Sequence, residues 1–157
     1  MVTTTDSHPT LPNLPTLYHE DYFLWLETTA KQLRNGQLHQ LDIDNLAEEI
    51  EDMGKSEKRA IESNLEVLLM HLLKYKYQKS KRTNSWRYTI YEHRKRLLKA
   101  FKDSPSLRPY FETVFDECYE EARNMAAIET GMEINSFPEM SPFSRLETLD
   151  SDYSNEQ

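Results

Sequence analysis

Apolar residues recur along this chain at steps of three and four, and nowhere do apolar and polar positions alternate long enough to make a strand. The spacing predicts a first helix over about 18–35, with Tyr22, Leu26, Ala30 and Leu33 on one face and Gly36 as its stop. Asp42 or Asp44 is expected to cap a second helix whose inner face is Leu46, Ala47, Ile50 and Met53, with Gly54 ending or bending it. Ser56 opens a third, reaching about Lys79. Between Leu65 and Leu73 its apolar residues point in every direction, so neighbours must surround it. Thr83, Asn84 or Ser85 is read as the cap of a fourth helix with Trp86, Ile90, Leu97 and Phe101 inward, broken at Asp103-Ser104-Pro105. The clearest amphipathic pattern is the fifth, Phe111, Val114, Phe115, Cys118, Ala122, Met125 and Ala126, closed by Gly131. Phe137 and Phe143 are expected to staple the tail, and Ser141-Pro142 to start a short last helix ending near Leu149.

The fold expected is therefore all-α: a single-domain bundle over 18–149 of about five main helices. The apolar helix at about 56–79 is central, and no large cavity is left. Residues 1–17, with their prolines, read as a flexible lead-in, and 150–157 as a frayed tail. The length of 157 residues suits one core without staples. A single cysteine, Cys118, excludes an internal disulfide; on an apolar face it reads as a buried, inert thiol of a reducing compartment. The N-terminus shows no signal-peptide pattern, and the longest nearly uncharged apolar run, Val67–Leu73, falls far short of the roughly 20 residues that span a bilayer. The expected location is cytoplasmic, with no membrane partner.

Charge changes the picture more. The net charge is −8, yet Lys74–Lys102 holds eleven Lys and Arg against one acid, Glu92.

The run Leu41–Gln78, LDIDNLAEEIEDMGKSEKRAIESNLEVLLMHLLKYKYQ, resembles a bacterial family common in cyanobacteria, domain of unknown function 29. Ser85-Trp86-Arg87-Tyr88-Thr89-Ile90, Arg94, the turn Asp103-Ser104-Pro105-Ser106-Leu107-Arg108, Glu120–Gly131 and Phe137-Pro138-Glu139 carry the same likeness, which covers about 18–149. Tyr75 and Phe143 depart from it, standing where tryptophan is common. The resemblance implies an all-α bundle, no assigned activity and no catalytic residues to carry over.

Three constellations carry candidate chemistry. Glu48, Glu49, His71 and His93 are a weak metal-site candidate if their helices converge, but neither Glu-x-x-His nor His-Glu-x-x-His spacing is present. Glu48, Glu49, His71 and Arg94 fit a structural reading better, as a polar core network that fixes helix register, with Arg94 paired to a glutamate. No nucleophile stands in a recognised setting and no Gly-rich loop exists for phosphate, so neither catalytic residues nor a cofactor are expected. The third constellation is the basic, aromatic segment 74–102. Lys74, Lys81, Arg82, Arg87, Lys95 and Lys99 among Tyr and Trp suit a partner or nucleic-acid surface, RNA or single-stranded DNA, unless acids elsewhere in the bundle tile them. The leading expectation is a non-enzymatic interaction or adaptor module acting through a protein partner or as a homo-oligomer. Nucleic-acid binding is the alternative, and a metal-dependent enzyme ranks third.

Overall fold

The computed structural model describes residues 13–152. Six α-helices carry them: α1 Leu14–Glu20, α2 Tyr22–Arg34, α3 Ile43–Tyr77, α4 Asn84–Asp103, α5 Leu107–Thr130 and α6 Arg145–Leu149. Short 3₁₀ turns at Leu38–Gln40, Lys79–Lys81 and Ile134–Ser136 join them, and the described residues hold no strand. The all-α class expected from the periodicity is the fold. The outer parts of the expected lead-in and tail, residues 1–12 and 153–157, lie outside the described residues.

The boundaries differ from expectation in four places. Residues 14–17, read as lead-in, begin a helix, because a proline in the first turn is pre-set for helical φ and gives up an N–H that would be unpaired anyway. Asp21 then divides the expected first helix in two: it ends α1, and its side chain accepts the Leu24 N–H to start α2. The expected second and third helices are one. Gly54 lies within α3 at an ordinary negative φ, inside a run of Glu, Asp, Lys and Arg whose helix propensity outweighs the roughly 1 kcal/mol a glycine costs. The cap of the last helix is Ser144, not Ser141: Ser144 and Glu147 form a reciprocal capping box. Other signals held, with Thr83 capping α4 and Gly131, at φ 68°, closing α5.

Contacts divide the chain into two compact units, Met1–Gly54 and Lys55–Gln157. In the C-terminal unit, the second half of α3 is enclosed as its pattern requires. Ile61, Leu65, Leu68, Leu69, Leu72 and Leu73 are buried, packed with Ile90 and Leu97 of α4, Phe111, Phe115 and Ala122 of α5, and Phe137, Phe143 and Leu149 beyond it. Phe101, Phe111 and Phe115 meet edge to face, and Tyr77 meets Phe137 in the same way. In the N-terminal unit the centre is Trp25. It is fully buried, donates its indole N–H to Asp42 over 3.2 Å, and lies within 4.9 Å and 6.0 Å of the Tyr18 and Tyr22 rings.

Candidate interaction surfaces

The N-terminal unit buries few side chains. Among its described residues Leu17, Trp25, Thr29 and Gln32 are buried, and Thr29 Oγ1 and Gln32 Oε1 have no hydrogen-bond partner there. Tyr18 and Tyr22 both donate to Glu49, each over 2.6 Å. Those bonds, with some burial and the Glu49 charge, push the Tyr18 hydroxyl up to about 12 and raise that of Tyr22.

The faces expected to point inward here are mostly open: of the set assigned inward on α3, Ala47, Ile50 and Met53 are exposed and Leu46 is half-buried, with Ile43, not assigned to it, exposed beside them. Ile43, Ile50 and Met53, one helical stripe of α3, are 58%, 61% and 69% exposed. On α2, Tyr22, Leu26 and Leu33 lie beside the buried Trp25–Thr29 stripe and are likewise exposed, as are Phe23 and Leu24. This apolar surface is set in acid: residues 1–54 contain ten Asp and Glu against two bases, Lys31 and Arg34, and so carry the whole net charge of −8. The C-terminal unit is balanced, with seventeen of each sign.

Of the four residues expected to share a polar network, Glu49, His71 and Arg94 bond to separate partners. Glu48 is exposed, and Glu49 serves the two tyrosines. His71 Nδ1 lies 2.9 Å from the Val67 carbonyl, and His93 Nδ1 lies 2.8 Å from Asn64 Oδ1. Burial, then a nearby cation, holds both imidazoles below the ordinary value: Lys74 for His71 and Arg96 for His93. Arg94 is almost fully buried and donates from Nε to the Thr148 carbonyl over 2.9 Å, where a glutamate partner was expected. Among the described residues no three His, Cys, Asp or Glu side chains group closely enough to hold a metal ion.

The basic segment splits by position. Lys74 points inward, bonded to Glu129 at 2.6 Å with its ammonium 4.4 Å from the Trp86 ring centre. Arg82 packs over Tyr75 and donates to the Tyr75 carbonyl, and Lys99 pairs with Asp103. Lys81, Arg87 and Lys95 are exposed, as are Tyr88 and Tyr91. The segment is thus neither fully tiled by acids nor one open patch.

An acidic cavity of about 470 Å³ between α3 and α5 was not foreseen. Glu62, Glu66, Glu117, Glu120 and Glu121 line it, and Cys118 lies at its wall. Burial, then the Glu121 charge, raises the Glu66 carboxyl, while burial beside these acids pushes the Cys118 thiol up to about 12. That thiol is buried and kept protonated, hence unreactive. Its sequence signal was a set of carboxylates at helical spacing on two helices, which the charge count merged with solvated faces.

A chain of α-helices arranged as two compact units is the class these observations define. The family model described as "Domain of unknown function DUF29" matches residues 17–154, and the chain belongs to that family. No curated protein and no solved structure matches it. No helix among the described residues is long and apolar enough to cross a membrane.

Proposed function

We propose that this protein is a non-enzymatic interaction module of a bacterial cytosol and that its N-terminal unit is the docking surface. The occupant is a basic amphipathic helix of another protein. One observation carries the reading: amphipathic stripes at helical spacing, Ile43/Ile50/Met53 on α3 and Tyr22/Leu26/Leu33 on α2, stand exposed within a unit that carries all of the net negative charge. Fully burying a large aliphatic side chain contributes roughly 1.5–3 kcal/mol, so three or four such positions suffice for a specific contact. The charge selects the partner. A second copy would bring like charge against like, whereas Lys and Arg flanking an apolar helix face would meet Glu48, Glu51 and Asp52.

The test is calorimetric titration with a synthetic amphipathic Lys/Leu helix, against the native chain and an Ile50→Ser/Met53→Ser variant of unchanged charge. Loss of at least about tenfold in affinity is expected from removing two buried anchors. Equal binding to both proteins reduces the contact to unspecific charge attraction and overturns the reading, as does no binding to either. A concentration-dependent dimer in light scattering that the double substitution abolishes replaces the basic partner by a second copy.

A further inference from the structure

The outer face of α4 carries a seam that no other helix among the described residues covers. Tyr88, Tyr91, Lys95, Leu98 and Lys102 follow one another at alternating steps of three and four, the seven-residue repeat by which two helices pack side by side. All five are exposed, Tyr88, Tyr91 and Leu98 at 62%, 57% and 43%. An open hollow of about 420 Å³ lies along the seam, with Ser151 at its rim. Its wall is the Tyr91 ring, Leu98 and the aliphatic stems of the lysines, and the Lys95 ammonium stands 5.8 Å from the Tyr91 ring centre.

The free charge beside this seam has one sign. Glu92 is taken by Arg96 at 2.7 Å and Asp103 by Lys99, each pair one helical turn apart. Arg87, Lys95 and Lys102 are exposed and carry no ion pair among the described residues. In such a contact the apolar positions supply most of the binding energy, while the rim cations choose the occupant and speed its approach. A second α4 laid along the first brings lysine against lysine, so like faces do not pair. A nucleic acid matches poorly as well. Duplex DNA carries one charge for about every 1.7 Å of its axis, whereas the three free cations are spread over about 22 Å of helix, with Leu98 standing between two of them.

We infer that the outer face of α4 is a second docking surface and that its occupant is an acidic amphipathic helix of another protein. Apolar side chains of that helix fill the hollow between Tyr91 and Leu98, and Asp or Glu along its flanks meets Arg87, Lys95 and Lys102. Every residue of the seam belongs to the C-terminal unit, and the face is basic where the N-terminal unit is acidic. The two surfaces therefore take partners of opposite charge, and each stands or falls without the other. A module with both joins two proteins.

The variants are at exposed positions, where the fold tolerates them: Tyr91→Ser/Leu98→Ser removes the apolar wall at constant charge, and Lys95→Gln/Lys102→Gln removes the cations. A synthetic Glu/Leu helix with leucines at heptad spacing is titrated against the full chain, with amide shifts of α4 as the readout. It should saturate α4 and lose at least about tenfold in affinity in the serine variant, which circular dichroism should find as helical as the native chain. The glutamine variant should lose several-fold, by less as salt is raised. Ile50→Ser/Met53→Ser, on the N-terminal surface, should bind the Glu/Leu helix as the native chain does. No saturable shift of α4, or equal binding by the native chain and the serine variant, overturns the assignment. A twelve-residue oligothymidylate that saturates the same amides more tightly than the peptide, with steep loss in salt, makes the face a nucleic-acid surface instead. Self-association of the native chain that the serine variant abolishes makes the occupant a second copy.

Discussion

The ion pair of Lys74 and Glu129 is asymmetric, and the asymmetry decides what its loss costs. Lys74 is buried, whereas the Glu129 side chain is 49% exposed. Removing the glutamate leaves an ammonium in the interior with only the Trp86 ring for company; removing the lysine charge leaves a carboxylate that water can reach. Glu129→Ala should therefore destabilise by about 2–3 kcal/mol and Lys74→Met by less than about 1.5 kcal/mol, read from denaturant midpoints at constant slope. Equal losses would show that solvent reaches Lys74. The histidines set a pH dependence. His71 and His93 have folded-state values below the ordinary 6.5, so in the window beneath 6.5 the unfolded chain binds protons that the folded chain does not. Stability present above that window is lost as the pH falls into it. Melting temperature should drop between about pH 7 and about pH 5.5, and His71→Asn, which keeps a donor for the Val67 carbonyl, should flatten the slope. Glu66, whose carboxyl is raised from 4.5, acts with the opposite sign, adding stability as the pH falls toward its own range.

Among the elements, α3 is where the sequence misled most and where the misreading has a physical cause. Gly54 and Ser56 together are an ordinary stop-and-start signal, but a glycine forces an end only where the backbone takes positive φ, as at Gly36 and Gly131. At Gly54 a Cβ would meet nothing within 4 Å, and all of 51–60 is exposed. Gly54→Ala should then stabilise α3 by about 0.5–1 kcal/mol, visible as a higher midpoint by circular dichroism; a lower midpoint would mean that the helix needs freedom there. Legibility followed burial. The stripe of α5 and the all-round apolar run of α3 were plain because tight packing leaves few other ways to place such residues. The core of α2 was missed by one position. Trp25, Thr29 and Gln32 form its buried stripe, but two polar residues weaken that signal, and Tyr22, Leu26 and Leu33 alongside look more apolar. The same displacement concealed the exposed apolar face of α2, since residues assigned to the interior turned out to be exposed. Pairwise polar contacts such as Arg94 with Thr148 were not legible at all, because a backbone carbonyl has no identity in the sequence.

For the molecule as a whole, the division at Gly54–Lys55 carries the consequence. Every residue of the main core cluster belongs to the C-terminal unit. Residues 55–157 alone should fold to a cooperative helical bundle, whereas 1–54 alone, with two large apolar side chains fully or nearly buried among its described residues, should be marginal, as domains of that size are. Thermal melts followed by far-ultraviolet dichroism test both; a C-terminal fragment that melts without cooperativity would show that the division is only apparent. The chain's two tryptophans fall one on each side of the boundary. The indole of Trp25 is sealed among tyrosines, and that of Trp86 is half-buried beneath an ammonium. Each half thus carries its own intrinsic fluorophore in a distinct setting, and emission from single-tryptophan versions would report which half loosens first, or which one a newcomer touches, without any added label.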